Sequence, residues 1–471
     1  MGRRKIPHHA ASPLEPTEAD LRAMIELVTE RVVRHVTTLD QQPVHATRGG
    51  KKLAAALREP MPERGAPLER LLRLLFGRII PTSLNTASPG YLAYVPGGGV
   101  MAAAMADFIA LATNRYAGVW LAAPGLVQIE QNVVDWFAAA VGLPAGRGGL
   151  LTSGGSMANL IALVTARRER LPPDFLRGVV YTSDQAHHSV AKAALVAGFP
   201  EERIRAIATD TRMRLRIDAL EAAIAEDHAA GLTPFCVVAS AGTTNTGAID
   251  DLDAIADVAA RHALWLHVDA AYGGFFALTE RGRAAMAGLE RADSITLDPH
   301  KGMFLPYGTG CLVVRDRDSL RRAHARHATY MPPMQTDPDL VDFCDLGPEL
   351  SREARGLRVW LPLKLHGAAA FRDALDEKLD LARHAAEAIG GLPGVIVIGP
   401  PELSLFAFHL ATDEATREVL AFVNAQQRVL LTGAVVHDRF VIRVCILSFR
   451  THRDRVDALV EDVRAGIAAL G

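Results

Sequence analysis

Five short segments carry residue types that could do chemistry together. In DSITLDPHKGMFLPYGTG, His300 and Lys301 follow an apolar run, in a Gly- and Pro-rich turn poor in acids. A lysine held there in an apolar site, with its pKa lowered, is of the kind that forms Schiff bases; an ordinary surface lysine is the other reading. In ALWLHVDAAYGG, Asp269 ends a run expected to be buried on both faces. A carboxylate in that position needs a partner. A protonated ring nitrogen would serve, as would a helix cap or a salt bridge, and Ala270, Ala271, Gly273 and Gly274 leave room for a flat ring.

LLTSGGSMANLIALVTARRER combines a short strand, the turn Ser153-Gly154-Gly155-Ser156, and Met157, Leu160, Ile161 and Val164 at helical spacing. Glycines admit close approach of an anion, and a helix start offers free N–H groups, so the segment reads as a phosphate site or as a capped tight turn. It has neither a Walker lysine nor GxGxxG, which disfavours ATP and NAD. SDQAHHSVAKA places His187 and His188 at a helix start, suited to ring stacking or proton transfer. No HxxxH spacing accompanies them, and no metal is expected. AGTTNTG contributes Thr243 at yet another strand end.

These segments need a frame. From about residue 100, β-branched runs (GVVYTS, RIRAIAT, PFCVVAS, ALWLHVD, DSITLD, GCLVVRD) alternate with helical periodicity, which predicts a largely parallel sheet with crossover helices. In such sheets ligands sit beyond the carboxyl ends of the strands. The first ~80 residues predict helices over Glu18–Val36, Lys51–Leu57 and Leu68–Ile80 that cannot bury their apolar faces alone. Near residue 360 the character shifts to a long helix around Ala368–Ile389, strands in LSLFAFHL and FVIRVCILSF, and a final helix from Arg453. The expected division is a helical arm over 1–84, a large α/β domain over 85–360 and a small α+β domain over 361–471.

Composition is that expected of an ordinary soluble globular protein. Hydrophobic residues are 49% and charged residues 22%, with a net charge of −2 spread along the chain, so no footprint for nucleic acid or anionic lipid arises. No apolar stretch reaches the ~18 residues of a membrane span. The start MGRRKIPHHAASPLEP lacks an apolar leader core. The cysteines at 236, 311, 344 and 445 make no metal-type spacing and read as reduced thiols. A cytoplasmic protein is expected, acting on a small molecule.

SDQAHHSVAKA, SAGTTNTG, HVDAAYGG and DPHKG together resemble the group II pyridoxal 5′-phosphate (PLP)-dependent amino-acid decarboxylases, which include the aromatic-L-amino-acid and glutamate decarboxylases. The likeness is dense from Ser88 to Ala370 and weakest in the arm. It implies the fold type I transferase architecture, with a mainly parallel seven-stranded sheet, and a homodimer with active sites near the subunit interface. By the resemblance, Lys301 would carry PLP as a Schiff base, Asp269 would bind the pyridine nitrogen, and His187 would stack on the ring. Gly155, Ser156 and His300 would lie at the phosphate, with Thr243 and Ala271 along the ring. Tyr330, in HATYMPP, would protonate Cα after carbon dioxide leaves. The expected reaction is decarboxylation of an L-amino acid, aromatic side chains favoured, to its amine.

The family's aldehyde synthases carry phenylalanine at the position of Tyr330, which sets that alternative and transamination behind decarboxylation. The intact site residues argue against a non-catalytic PLP-binding homologue. Tyr94, Val95, Tyr116, Gly118 and Tyr307 align with the family's substrate-pocket walls; Val95 and Gly118 stand where the aromatic decarboxylases have aromatic rings. Tyr116 and Tyr307 could refill that space. Asp298 replaces an asparagine, and Gly302 a common tryptophan.

Overall fold

The computed structural model describes residues 14–326, 329, 337 and 339–470. Seven strands form the larger sheet: β1 (Gly148–Thr152), β2 (Gly178–Ser183), β3 (Ile204–Ile207), β4 (Thr233–Ser240), β5 (Trp265–Asp269), β6 (Ser294–Leu297) and β7 (Gly310–Val314). Their order is β1-β7-β6-β5-β4-β2-β3. All neighbours pair in parallel except β7, which is antiparallel to both β1 and β6. The run GCLVVRD therefore supplies the one reversed strand of a mainly parallel sheet. Because β7 reverses twice, β1 points the same way as β6, and the carboxyl ends of β1, β2, β4, β5 and β6 share one edge.

The strands read as continuous apolar runs because both faces are covered. Val179, Tyr181, Val237 and Val268 face one core cluster, whereas Val180, Cys236, Val238 and Trp265 face another, as the period of two requires. Helices Gly155–Arg170, Ser189–Val196, Ile217–Ala229 and Leu252–Arg261 cross between strands. The last is capped by Asp251, whose side chain accepts from Ala254 N–H.

Four further antiparallel strands, β8 (Ile396–Val397), β9 (Leu405–His409), β10 (Thr432–Val436) and β11 (Arg439–Cys445), follow the order β10-β11-β9-β8. Strands β8 and β10 and the helix Asp413–Ala425 go beyond the predicted elements. The two-residue turn between β10 and β11 is His437-Asp438, both at positive φ, a primed hairpin made without glycine, which hides it from sequence patterns. The predicted helix at Ala368 continues a preceding one, from Gly356 to Gly390, with Gly367 at φ 75° marking a kink between them.

The N-terminal helices are Glu18–Thr37, Gly50–Ala56 and Leu68–Leu74, the last running into a π turn over Leu75–Ile79. Thr17 and Asp20 form a capping box at the first. That helix buries none of its residues and leaves Leu21, Met24, Ile25, Val28 and Val33 exposed, so its apolar face is unpaired within one chain. No helix among the described residues is long and apolar enough to cross a membrane.

Candidate active site

The shared sheet edge holds a cavity of about 300 Å³, and it gathers Gly155, Ser156, His187, Thr243, Asp269, Ala271, His300 and Lys301. They come from five strand ends, those of β1, β2, β4, β5 and β6, or the turns beside them, so adjacency follows from parallel strands rather than from sequence.

At the end of β1, Gly154 caps the helix that starts at Gly155, with a backbone (φ 156°) at the limit of what a side-chain-bearing residue adopts. The first backbone bonds of this helix run from Met157 and Ala158 N–H to Gly154 O, and the Gly155 and Ser156 amides precede them at the open end. A Cβ on Gly155 would come 3.0 Å from Asp298 Oδ2 and 3.2 Å from Ala271 Cβ. The cradle is thus only as wide as glycine permits, with N–H groups and the positive helix end inside it.

Asp269 closes β5. Its Oδ1 accepts from Ala271 N–H at 3.1 Å and its Oδ2 from the Asn159 amide at 2.9 Å. Both donors are neutral, so this buried carboxylate has room for a cation such as a protonated ring nitrogen. His187 packs beside His188 and lies 2.7 Å from Ser189 Oγ through Nδ1. Burial pushes its pKa down, against the pull of Asp269. Thr243 sits in a closed turn, its hydroxyl 3.0 Å from that of Thr246 and accepting from Ala248 N–H. Arg443 of β11 donates to the carbonyls of Thr244 and Asn245 and so braces this turn from the smaller sheet.

The Lys301 environment corrects the sequence expectation of an acid-poor site and a lowered pKa. Its Nζ lies 3.0 Å from Asp298 Oδ2. Burial alone would pull the ammonium down, but Asp298 and Asp269 outweigh it and the pKa is raised. In the sequence, the proximity of Asp269 to Lys301 is invisible. His300 Nδ1 sits 2.6 Å from Thr309 O, which fixes that nitrogen as a donor and aims Nε2 at Asp298 Oδ2, 3.6 Å away.

The five expected pocket-wall residues do not line this cavity within one chain. Tyr307 has its ring 5.6 Å from that of His300. Tyr94 is exposed and holds a left-handed backbone, φ 53°, and Val95 packs at the edge of the main core. Tyr116 donates to Leu350 O at 2.9 Å, and its phenol occupies the space a side chain on Gly118 would need. Gly302 likewise has no room for one, since a Cβ would lie 2.7 Å from Phe275 Cβ. Tyr330 lies outside the described residues. No group of three or more metal-ligating side chains occurs among the described residues.

Residues 51–411 match the model of the pyridoxal-dependent decarboxylase conserved domain. The chain belongs to the pyridoxal-dependent decarboxylase family. An aromatic-L-amino-acid decarboxylase of Bacillus atrophaeus is 34% identical over 462 residues, 96% of each chain. A phenylacetaldehyde synthase of Petunia hybrida is 27% identical, over 96% of this chain and 95% of that one. The crystal structure of Oryza sativa TDC with PLP and tryptamine superposes with a TM-score of 0.92 at 28% identity, covering 98% of this chain and 100% of that one.

The decarboxylase has the fold type I architecture, takes PLP as its cofactor and acts as a carboxy-lyase on an amino acid. Its cavity fits the cofactor on three counts: the glycine-lined helix start suits a phosphate, Asp269 accepts hydrogen bonds from neutral donors, and the buried Asp298 Oδ1 has no hydrogen-bond partner. Sequence reading passed over Asn159, Ser189 and His267, which tie the decarboxylase's Asp269 and His187 together. The available signal was an asparagine on the buried stripe of a mostly apolar helix face.

Proposed function

We propose that this decarboxylase converts an L-amino acid with an aromatic side chain into the corresponding amine. The observation that carries the reading is the placement of Lys301 and Asp269 in one cavity beside a glycine-walled helix start. The aromatic preference rests on the relative that acts, by its name, on aromatic L-amino acids.

When bound, PLP supplies an electron-poor conjugated ring that takes up the electron pair released as the substrate carboxylate leaves as carbon dioxide. Lys301 would anchor the cofactor, and Asp298, 3.0 Å from its Nζ, would hold the ammonium of that side chain whenever it is not joined to the cofactor. Asp269 pairs with the ring nitrogen and keeps it protonated. Gly155, Ser156 and His300 would hold the phosphate, Thr243 and Ala271 would flank the ring, and His187 would stack on it. Tyr330 delivers the proton to Cα. Tyr94, Val95, Tyr116, Gly118 and Tyr307 set the substrate pocket.

We assign the active form to a homodimer. The unpaired apolar face of the helix Glu18–Thr37 and the position of Tyr116 and Gly118 away from the Lys301 cavity both support sites completed across a subunit interface. The arm is taken as 1–84, the large domain as 85–360 and the small domain as 361–471. The free thiols fit a reducing compartment, the cytoplasm.

A second reading, decarboxylation with oxidative loss of the amine to an aldehyde, is favoured by the Petunia hybrida relative. Chromatography of products from phenylalanine, tyrosine, tryptophan and DOPA tests both. Amine and carbon dioxide in equal amounts, without dioxygen uptake, are expected; an aldehyde with dioxygen consumed overturns the proposal.

A further inference from the structure

Asn159 is buried in the second turn of the helix Gly155–Arg170, and all four hydrogen-bonding positions of its amide are used. Nδ2 donates to Asp269 Oδ2 at 2.9 Å and to Ser189 Oγ at 3.0 Å. Oδ1 accepts from Thr296 Oγ1 at 2.7 Å and faces His267 Nε2 at 3.0 Å. A carboxylate only accepts, so Asp269 dictates which end of the amide it meets. Oδ1 therefore points at His267, and His267 must carry its hydrogen on Nε2.

The rest of the chain follows by elimination. The Trp265 indole N–H donates to Ser294 Oγ at 2.8 Å, and Ser294 has its own hydrogen left to give to His267 Nδ1 at 2.8 Å. Burial pushes His267 down to about 4, so the ring is neutral and Nδ1 is free to accept. On the other side, Ser189 Oγ receives from Asn159 and gives its hydrogen to His187 Nδ1 at 2.7 Å, the same nitrogen that Ser189 N–H approaches at 3.3 Å. Nδ1 of His187 is thus an acceptor, and its ring hydrogen resides on Nε2.

We propose that Asn159 is a positioning residue that couples the Asp269 carboxylate to the tautomer of His187, with His267 fixing the amide and Ser189 passing its orientation on. The inference rests on the roles given above to Asp269 and His187. One amide sets both the direction of the group beneath the cofactor ring and the hydrogen the stacking imidazole presents. The charged and titratable groups facing His187 are Asp269 and Asp298, which favour its ionised form, and His188 and Lys301, which oppose it. The Ser189 bond is made to the neutral ring, so losing it lets the imidazole protonate at higher pH.

Two variants separate the arms. Ser189→Ala cuts only the His187 arm, and Asn159→Ala cuts both. PLP affinity is read by titrating apoenzyme while following the visible absorption of the bound cofactor, and the pH profile of kcat is read on the holoenzyme. Asn159→Ala is expected to weaken PLP binding about tenfold, as loss of a bond to a charged acceptor implies, and to move the acid limb of the profile upward. Ser189→Ala is expected to move that limb equally while leaving PLP affinity within about twofold, since no bond to Asp269 is lost. Wild-type affinity in Asn159→Ala overturns the proposal, as does a loss of affinity in Ser189→Ala equal to that in Asn159→Ala. Should Asn159→Ala not fold, Asn159→Ser, too short to reach both partners, carries the same two expectations. Asp269→Ala and His187→Gln serve as references: if both match wild type, the reading of the site fails; if they are impaired and Asn159→Ala is not, only the coupling fails.

Discussion

Lys301 Nζ and Asp298 Oδ2 lie 3.0 Å apart, and the other oxygen of that carboxylate, Oδ1, is buried without a hydrogen-bond partner. A lysine must be neutral to attack the cofactor aldehyde, yet Asp298 stabilises its ammonium form. The raised pKa means that the charged form persists to higher pH than in a free lysine. Asp298→Asn should therefore shift the pH midpoint of the rate of cofactor uptake by apoenzyme downward, by about one unit. Stopped-flow absorbance of the growing visible band measures this; an unmoved midpoint would show that Asp298 does not govern the Lys301 proton.

Burial of His267 has a consequence for acid stability. Its ordinary value of 6.5 is pushed down to about 4 in the fold. For a base with a depressed pKa, the unfolded chain binds the extra proton first, so stability is full above 6.5 and falls as pH drops toward 4. The loss from this residue is about 3 kcal/mol. Urea titrations at stepped pH should show it, and His267→Gln should flatten the slope in that window.

Arg352 and Glu130 form a fully buried ion pair, 2.7 Å long, in which Glu130 Oε1 also accepts from Leu151 N–H and Arg352 donates to Leu151 O. The pair bolts β1, which leads into the phosphate turn, to the segment that enters the helix at Gly356. Removing one partner strands a charge: Glu130→Leu or Arg352→Met should each cost about 3–5 kcal/mol of unfolding free energy. The double replacement Glu130→Leu with Arg352→Met should cost less than either alone, which a double-mutant cycle in urea decides.

Gly118 lies beneath Tyr116, and a Cβ there would meet the Tyr116 phenol and come 2.7 Å from Leu350 O. Gly118→Phe should displace Tyr116 and destabilise the protein by about 1–3 kcal/mol, the usual cost of overpacking. Adding Tyr116→Ala should restore most of the melting temperature. The same double variant is the fair comparison for substrate preference, because Gly118→Phe alone changes two side chains at once.

The sequence alone determined a good deal. Runs such as GVVYTS and PFCVVAS, buried on both faces, required a mainly parallel sheet, and a parallel sheet puts its strand ends on one edge; that suffices to bring Asp269, His187, Gly155 and Lys301 together. The turn glycines, too, were legible, since their need is local. What escaped was every relation in which one residue's chemistry depends on a neighbour distant in sequence. Lys301 read as acid-poor although Asp298 stands three residues before it, because sequence does not show that the turn folds this carboxylate onto the ammonium, and Asp269, 32 residues earlier on another strand, adds to the raised pKa. Asn159, on a helix, meets Asp269 and His267 on β5 and Ser189 on a third element. At Gly118 the sequence left open whether Tyr116 or Tyr307 refills the missing aromatic wall, and only packing shows that the ring of Tyr116 takes the space a Gly118 side chain would need. Periodicity reports which face of an element is buried; it carries no record of what that face is buried against, and hydrogen-bond direction, charge balance and tautomer are set only by that contact.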